Sequence, residues 1–321
     1  MDILVIGVST IFSRRVLPAL LSLDCVDKIH LASRRTSVDI DIPQPRRGEF
    51  FCGYEEALHT VRPCLAYISL PNNLHAEWTR KALLAGFHVV VDKPAFMTWQ
   101  ETQANLKLAK DQQLCLAEST VWPFHPQVSA LQRAFGQHGS EPVTIQAVFS
   151  FPPLPPSNFR NNPDLGGGSF YDLGRYAVTP GRVFFKDEPT DVRTEVLSQD
   201  LASGIDTSFA ISLKYPRGRY FQGFFSFNAA YKNSISIIGD KITAVLEPAF
   251  TFNDPLTSKI NIRVDSNVEE LSFKPANSFA EFFKSVILSV QSGDWSAWLR
   301  ILERDAYAMQ RASPFATENN L

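Results

Sequence analysis

Three short runs of this 321-residue chain carry side chains able to act on a small polar molecule. The first, Val89-Val90-Val91-Asp92-Lys93-Pro94, ends an apolar strand on an ammonium group. Parallel strands buried on both faces read as unbroken Val/Ile/Leu runs, and open α/β sheets bind ligands beyond the carboxyl ends of their strands. Lys93 is therefore expected to face a cofactor or substrate, although the local sequence reads equally as a strand-end lysine reaching water. The second run, Gly166-Gly167-Gly168-Ser169-Phe170-Tyr171-Asp172-Leu173-Gly174-Arg175-Tyr176, opens on three glycines. Such a run is entropically costly unless the backbone turns tightly or is closely approached. Asp172 and Tyr176 behind it stand four residues apart, so a helix starting there projects both from one face. A carboxylate and a phenol so placed form the polar end of a substrate pocket; the competing reading is a glycine-rich cap followed by a core tyrosine.

The third run is Ser33-Arg34-Arg35, after a strand over 28–32. In dinucleotide-binding sheets this position reads the adenosine ribose: a carboxylate favours a free 2′-hydroxyl, arginine a 2′-phosphate. A hydroxyl beside two guanidiniums suits phosphate, because arginine offers charge-assisted donors and keeps its charge. NADP(H) is expected over NAD(H), against the alternative of an arginine pair on a solvated loop. The pyrophosphate turn is degenerate. Where G-x-G-x-x-G would stand, the chain has Gly7-Val8-Ser9-Thr10-Ile11-Phe12, with small Ser9 at the second glycine's place. Gly7, Ser9, Thr10 and Ile11 are candidates for cofactor contact, and the same residues read equally as a turn capped by Ser9 or Thr10.

The elements that would position these groups follow from periodicity. Apolar runs over 3–8, 28–32, 65–70 and 88–91 alternate with helical patterns, notably 74–85, which implies a parallel, doubly wound sheet. After Val121 the texture changes: a helix, a strand over 143–151, a proline-rich loop over 152–156, then alternating segments over 207–215, 220–227, 234–238, 244–247, 259–264 and 269–273 predict a broad, mostly antiparallel sheet. Phe279, Phe282, Phe283, Val286, Ile287 and Val290 recur at helical spacing, and a last helix is expected around 298–309. The fold class is α/β, with an N-terminal Rossmann dinucleotide-binding domain (1–121) and a C-terminal α+β substrate domain (122–321) whose last helices pack back on the first.

Composition narrows the classes. With 31 Lys+Arg against 33 Asp+Glu, the net charge of −2 gives no electrostatic case for nucleic acid or an anionic membrane. No stretch is long and apolar enough to span a bilayer, and the N-terminus lacks a signal-peptide pattern. Cys25, Cys52, Cys64 and Cys115 have no metal or disulfide spacing and read as core thiols in the cytoplasm, with no metal site.

Together the stations Gly53-Tyr54-Glu55-Glu56, Ser69-Leu70-Pro71-Asn72-Asn73-Leu74-His75, Asp92-Lys93-Pro94, Phe124-His125-Pro126 and Gly166-Gly167-Gly168 leading to Asp172 resemble, in order and spacing, the glucose-fructose oxidoreductase and inositol dehydrogenase (Gfo/Idh/MocA) family. The resemblance covers nearly the whole chain. It implies that Leu70, Pro71, Asn72, His75, Asp92 and Lys93 lie along the cofactor, with His75 ordering the loop beside the nicotinamide ribose. Most members read Glu-Lys-Pro where this chain has Asp92-Lys93-Pro94, and many have histidine at the place of Tyr176. Tyrosine there is similar to the subgroup of glucose-fructose oxidoreductase, dihydrodiol dehydrogenase and sugar-nucleotide 3-ketoreductases. Arg14 and Arg15 ahead of Val16-Leu17-Pro18 look most like the deoxysugar ketoreductases.

The resemblance implies hydride delivery from a nicotinamide to a ketone carbon, with Tyr176 protonating the alkoxide, Lys93 stabilising charge beside it and Asp172 holding a substrate hydroxyl or orienting Tyr176. A phenol's reference pKa of about 10 makes a neighbouring ammonium useful to that relay. Asn158 and Arg160 before the glycines, and Tyr231 between two strands, are candidates for substrate contact, or else plain polar loop. The expected substrate is a nucleotide-linked 3-ketosugar. The alternatives are a free sugar, inositol or trans-dihydrodiol, and a non-enzymatic dinucleotide sensor, which retention of Lys93 and Tyr176 argues against. A homodimer through the open sheet face is expected, since that face would otherwise expose apolar surface.

Overall fold

The computed structural model describes residues 1–252, 258–264 and 266–315. The chain divides into two compact units, Met1–Val121 with Phe279–Ala306, and Trp122–Ser278 with Tyr307–Leu321.

In the first unit β1 (Ile3–Ile6) leads into a wide π turn (Phe12–Val16) and α1 (Leu17–Leu21), then β2 (Ile29–Ala32), β3 (Arg47–Phe51), α2 (Tyr54–Thr60), β4 (Leu65–Ile68), α3 (His75–Leu84), β5 (His88–Val91), α4 (Trp99–Asp111) and β6 (Leu116–Glu118). All adjacent strands pair in parallel in the order β3-β2-β1-β4-β5-β6. Every residue of β1 and β4 is buried, which is why their sequences read as unbroken apolar runs. A capping box starts α4: Thr98 Oγ1 accepts from Glu101 N at 3.1 Å, and Glu101 Oε2 accepts from Thr98 N at 3.1 Å. The strand β3 gives no apolar signal because it is a polar edge strand with one buried residue, Phe51. Its pairing with β2 shifts between Ile29 and Leu31, where the His30 ring accepts the Glu49 amide at 3.1 Å. Strand order reverses between β1 and β4, and ligand crevices of open α/β sheets form at such a point.

In the second unit α5 (Pro126–Gln137), β7 (Pro142–Ser150) and α6 (Ser169–Pro180) precede β8 (Asp191–Gln199), β9 (Asp206–Lys214), β10 (Tyr220–Ser226), β11 (Lys232–Gly239), β12 (Ile242–Leu246), β13 (Ser258–Val264) and β14 (Asn267–Phe273). They form an eight-stranded sheet, β14-β13-β12-β11-β7-β10-β9-β8, antiparallel except for β7 beside β10. Ile145, Ala147, Phe149, Phe209, Ile211, Leu213, Phe221, Phe225, Ile235 and Ile237 point to one face and form a single core with Leu173 and Ala177 of α6. Alternate residues, among them Gln146, Val148, Gln222, Phe224 and Ser236, face the other way and stay half-buried or exposed. The chain ends in α7 (Ser278–Ser292) and α8 (Ser296–Ala312).

The four cysteines are free, and one expectation fails: only Cys115 is fully buried, while Cys52 is exposed because it leaves the polar edge strand β3. Among the described residues no helix is long and apolar enough to cross a membrane, and no cluster of His, Cys, Asp and Glu is fit to hold a metal ion.

Candidate active site

In the first unit the structure gathers the ends of β1, β4, β5 and β6 around one carboxylate. Asp92 accepts from the hydroxyls of Tyr67, of Ser69 at 2.8 Å and of Ser119 at 3.0 Å. The Ser69 hydroxyl is in turn 2.7 Å from that of Ser9, so a continuous hydroxyl chain crosses the strand-order reversal. Burial and the adjacent Asp92 charge push the Tyr67 phenol well above its usual range, so it stays a donor. Ser9 also accepts the Phe12 amide at 3.1 Å and thereby starts the first helix. Gly7 is required: its φ is +92°, and a Cβ there would run into the Ser69 carbonyl oxygen. Thr10 and Ile11 are exposed on this turn.

Lys93 is half-buried and leaves β5 between two anchored neighbours. Before it, the Asp92 amide donates to Ile68 O at 3.0 Å. After it, Pro94 O lies 2.8 Å from His75 Nδ1, and the Ala95 amide donates to buried Glu118 at 2.7 Å. The other His75 nitrogen lies 2.8 Å from Leu70 O. His75 is fully buried and engaged at both nitrogens, so it ties the Leu70-Pro71 loop to the lysine strand exit. Asn72 is buried in the short turn after Pro71.

At the end of β2 the Ser33 hydroxyl accepts the Arg35 amide at 3.1 Å, and the Ser33 amide donates to Phe51 O at 3.0 Å. Arg34 and Arg35 are exposed and form no ion pair among the described residues. Two unpaired guanidiniums beside a fixed hydroxyl fit a phosphate ester.

In the second unit Asp172 and Tyr176 project from one face of α6. Asp172, 6% exposed, pairs with Arg160, Nε to Oδ2 at 2.9 Å. The Arg160 guanidinium lies 4.7 Å from the centre of the Phe159 ring, and its carbonyl accepts the Gly168 amide at 2.9 Å. Arg160 is thus held at both ends. Asn158 accepts the Arg160 amide at 3.1 Å, which caps the short turn Phe159–Asn161. Tyr176 is half-buried, its ring packed on Phe149 at 5.2 Å and Phe250 at 4.9 Å between centres. The ring thus packs on the core, as the competing reading expects, while the residue stays partly exposed.

Tyr231 is 56% exposed, and its hydroxyl accepts from Asn233 at 3.2 Å. Asn233 itself is buried. It accepts the amides of Ala249 and Phe250 at 3.1 and 2.8 Å and donates to Thr251 O at 2.9 Å, fixing the segment whose Phe250 ring supports Tyr176.

The sequence reading missed Asp206, the first residue of β9. It is buried and accepts from Ser169 Oγ at 2.5 Å and from the Phe170 amide at 2.6 Å, at the first turn of α6. Burial raises its pKa against these hydrogen bonds, which lower it. His125, in the Phe124-His125-Pro126 station, caps α5 through Nδ1, stacks on Phe252 at 3.8 Å between ring centres, and has its pKa pushed down to about 4 by burial.

A doubly wound parallel sheet followed by a broad, mostly antiparallel sheet, with an anchored lysine and a carboxylate–phenol helix, defines a two-domain nicotinamide oxidoreductase class. Residues 1–120 match the oxidoreductase family with NAD-binding Rossmann fold, and residues 136–245 match the GFO/IDH/MocA C-terminal domain. The chain belongs to this Gfo/Idh/MocA family of oxidoreductases. It is 27% identical, over 96% of its length and 93% of the relative's, to a dTDP-3,4-didehydro-2,6-dideoxy-alpha-D-glucose 3-reductase of Streptomyces antibioticus. It is 28% identical to a D-xylose 1-dehydrogenase (NADP(+)) of Haloferax volcanii, over 75% of this chain and 74% of that one. Among solved structures it resembles KijD10, a 3-ketoreductase from Actinomadura kijaniata crystallised with NADP and TDP-benzene, at 25% identity and a TM-score of 0.86, covering 97% of this chain and 96% of that one.

Proposed function

We propose that this protein is an NADP(H)-dependent reductase of a nucleotide-linked 3-ketosugar. The observation that carries the reading is the face of α6: Tyr176 with Asp172, the latter joined to Arg160. The 3-reductase relatives, similar along almost the whole chain, favour this substrate class over others of the family.

Residues 1–121 take the dinucleotide. Its pyrophosphate lies on Gly7, Ser9, Thr10 and Ile11, its 2′-phosphate on Ser33, Arg34 and Arg35, and its nicotinamide end along Leu70, Pro71, Asn72 and the Asp92-Lys93 exit. The exposed arginine pair is the feature of this chain that fits the extra phosphate. Bound NADPH supplies the hydride. Tyr176 gives its hydroxyl proton to the ketone oxygen as the carbon is reduced, and the Lys93 ammonium is the cationic group that balances the negative charge developing in that step. General acid catalysis of this kind contributes roughly 10²–10⁴-fold. Asp172 fixes Arg160, and Asn158 fixes that residue's backbone, so that the guanidinium meets the sugar or its diphosphate; Tyr231 flanks the same substrate. Remote binding to a diphosphate raises turnover as well as affinity.

We further assign the open face of the eight-stranded sheet to a homodimer contact, and the protein to the cytoplasm, where four unpaired thiols stay reduced. A steady-state panel tests the substrate: NADPH oxidation is expected with nucleotide-linked 3-ketosugars, and far slower NADP+ reduction with free sugars, inositols or dihydrodiols. A free sugar outperforming every nucleotide-linked ketone would transfer the assignment to the sugar dehydrogenases, of which the Haloferax volcanii relative is one. Tight NADPH binding with silence across the panel would mark a sensor.

A further inference from the structure

We infer that Asp206 is a positioning residue for the reaction: its buried carboxylate sets where α6 begins and hence where Asp172 and Tyr176 stand. One oxygen, Oδ2, takes both the Ser169 hydroxyl at 2.5 Å and the Phe170 amide at 2.6 Å. The first turn of a helix leaves amides without intrahelical partners, and a negative group there also meets the positive end of the helix. The usual solution is a capping side chain at the residue before the helix. Here that residue is Gly168, which has none, and the carboxylate of Asp206, 37 residues beyond Ser169, takes its place.

The geometry leaves no slack. Gly168 has φ +111°, and a Cβ on it would run into the other Asp206 oxygen, Oδ1. The Gly168 amide donates to Arg160 O at 2.9 Å, and the Gly167 amide to Asn162 O at 3.0 Å. The glycine run therefore joins two things at once, the turn that carries Arg160 and the carboxylate that starts α6. Asp206 is 3% exposed and pairs in register with Gln199 of β8, so the anchor belongs to the sheet rather than to a loop. Asp172 is reached within the first turn of α6 and Tyr176 one turn later, so a shift or fraying of the helix start moves both.

The inference rests on the proposed role of α6, and the experiment separates the two. Steady-state kinetics with NADPH and a nucleotide-linked 3-ketosugar would be measured on Asp206→Ala, Asp206→Asn and Tyr176→Phe, with circular dichroism as a check of folding. Asp206→Ala is expected to lower kcat on the order of 10- to 100-fold, the scale of a small misplacement of reacting groups, with NADPH affinity unchanged. Asp206→Asn can place its amide oxygen where Oδ2 stood and is expected to restore kcat to within about threefold, a rescue expected of an acceptor that positions the helix through hydrogen bonds. If Asp206→Ala does not fold, Ser169→Ala and Gly168→Ala replace it. The first removes one of the two bonds and the second pushes into the carboxylate, and both are expected to lower kcat more than they change the KM for NADPH. Full activity in folded Asp206→Ala, or in both replacement variants, would overturn the inference, as would an Asp206→Asn as impaired as the alanine variant. If Tyr176→Phe keeps its activity, the reading of α6 fails instead.

Discussion

Two carboxylates, the half-buried Asp92 and the buried Asp206, organise the two halves of the candidate site, and they are reached in different ways. Asp92 lies next to Lys93 in the chain and collects the hydroxyls of Tyr67 and Ser69 at the end of β4 and of Ser119 after β6. Asp206 lies far in sequence from Asp172 and Tyr176, and collects a hydroxyl and an amide at the start of their helix. In the first unit, then, Lys93 and the carboxylate that anchors its strand exit are neighbours, and side-chain hydroxyls bridge where dinucleotide sheets usually carry glycines. In the second, the residue before the helix is a glycine without a capping side chain, and a carboxylate from another element serves the helix start. The same task, fixing one ionisable side chain, is done from a neighbouring residue in one unit and from a distant one in the other.

The largest test of this comparison removes the reacting groups while leaving both anchors intact. Lys93→Met and Tyr176→Phe are each expected to lower kcat by roughly 10²–10⁴-fold with NADPH affinity and folding preserved, and the double variant should lose less than the product of the two. Rapid-mixing turnover and fluorescence titration of NADPH check this; a Tyr176→Phe enzyme with most of its activity would place the proton donor elsewhere.

Removing the adenosine-side arginine bears on the first unit alone. Arg34→Ala is expected to weaken NADPH by on the order of ten- to hundredfold, the loss of a charge-assisted hydrogen bond worth about 1.5–3 kcal/mol, while NADH affinity stays level. Equal affinities of the unmodified protein for the two cofactors in calorimetry would remove the reading of Ser33-Arg34-Arg35.

Asp92→Ala sharpens the contrast between the anchors. It leaves the fully buried Tyr67 hydroxyl without its acceptor, a cost of about 1–3 kcal/mol that a drop in Tm should show, alongside weakened cofactor binding. Asp206→Ala, by contrast, should spare NADPH binding. If both variants weakened NADPH equally, the two anchors would not be specific to their own units.

The smallest effect concerns the start of α5. Burial lowers the His125 pKa from its ordinary 6.5 to about 4, so in that window the unfolded chain takes up a proton that the folded one refuses. Stability from this residue is therefore complete above about pH 6.5 and is lost as pH falls towards 4. His125→Asn keeps an acceptor for the Gln127 amide without the titration, so its Tm should fall less steeply over that range than that of the unmodified protein. Parallel Tm curves would show that His125 titrates normally.

What the sequence discloses follows the same division. The strands β1, β4 and β5 were legible because burial on both faces leaves an unbroken apolar signature, and Lys93 was legible because it ends one of them. The pair Asp172 and Tyr176 was legible through helical spacing alone. The edge strands β3 and β8 were not, because they carry mostly polar residues, so that the alternation of half-buried and exposed positions in β8 leaves little apolar signal. Asp206 and Asn233 look like ordinary loop-to-strand residues; their meaning is a contact with Ser169 and Phe170 in one case and with Ala249 to Thr251 in the other, which no local pattern encodes. The ion pair of Arg160 with Asp172 is of the same kind: each residue was a candidate, but their union depends on the glycine turn between them.

The central claim is that hydride passes from NADPH to the third carbon of a nucleotide-linked ketosugar, and isotopic transfer tests it most directly. NADPH carrying deuterium at the transferable position would be incubated with the unmodified protein and a dTDP-linked 3-ketosugar, and the product examined by mass spectrometry and proton NMR. One deuterium at C3 of an intact dTDP-sugar, absent from a parallel reaction with Tyr176→Phe, is the expected result. Label at another carbon, or label appearing only when a free sugar replaces the nucleotide-linked one, would contradict it.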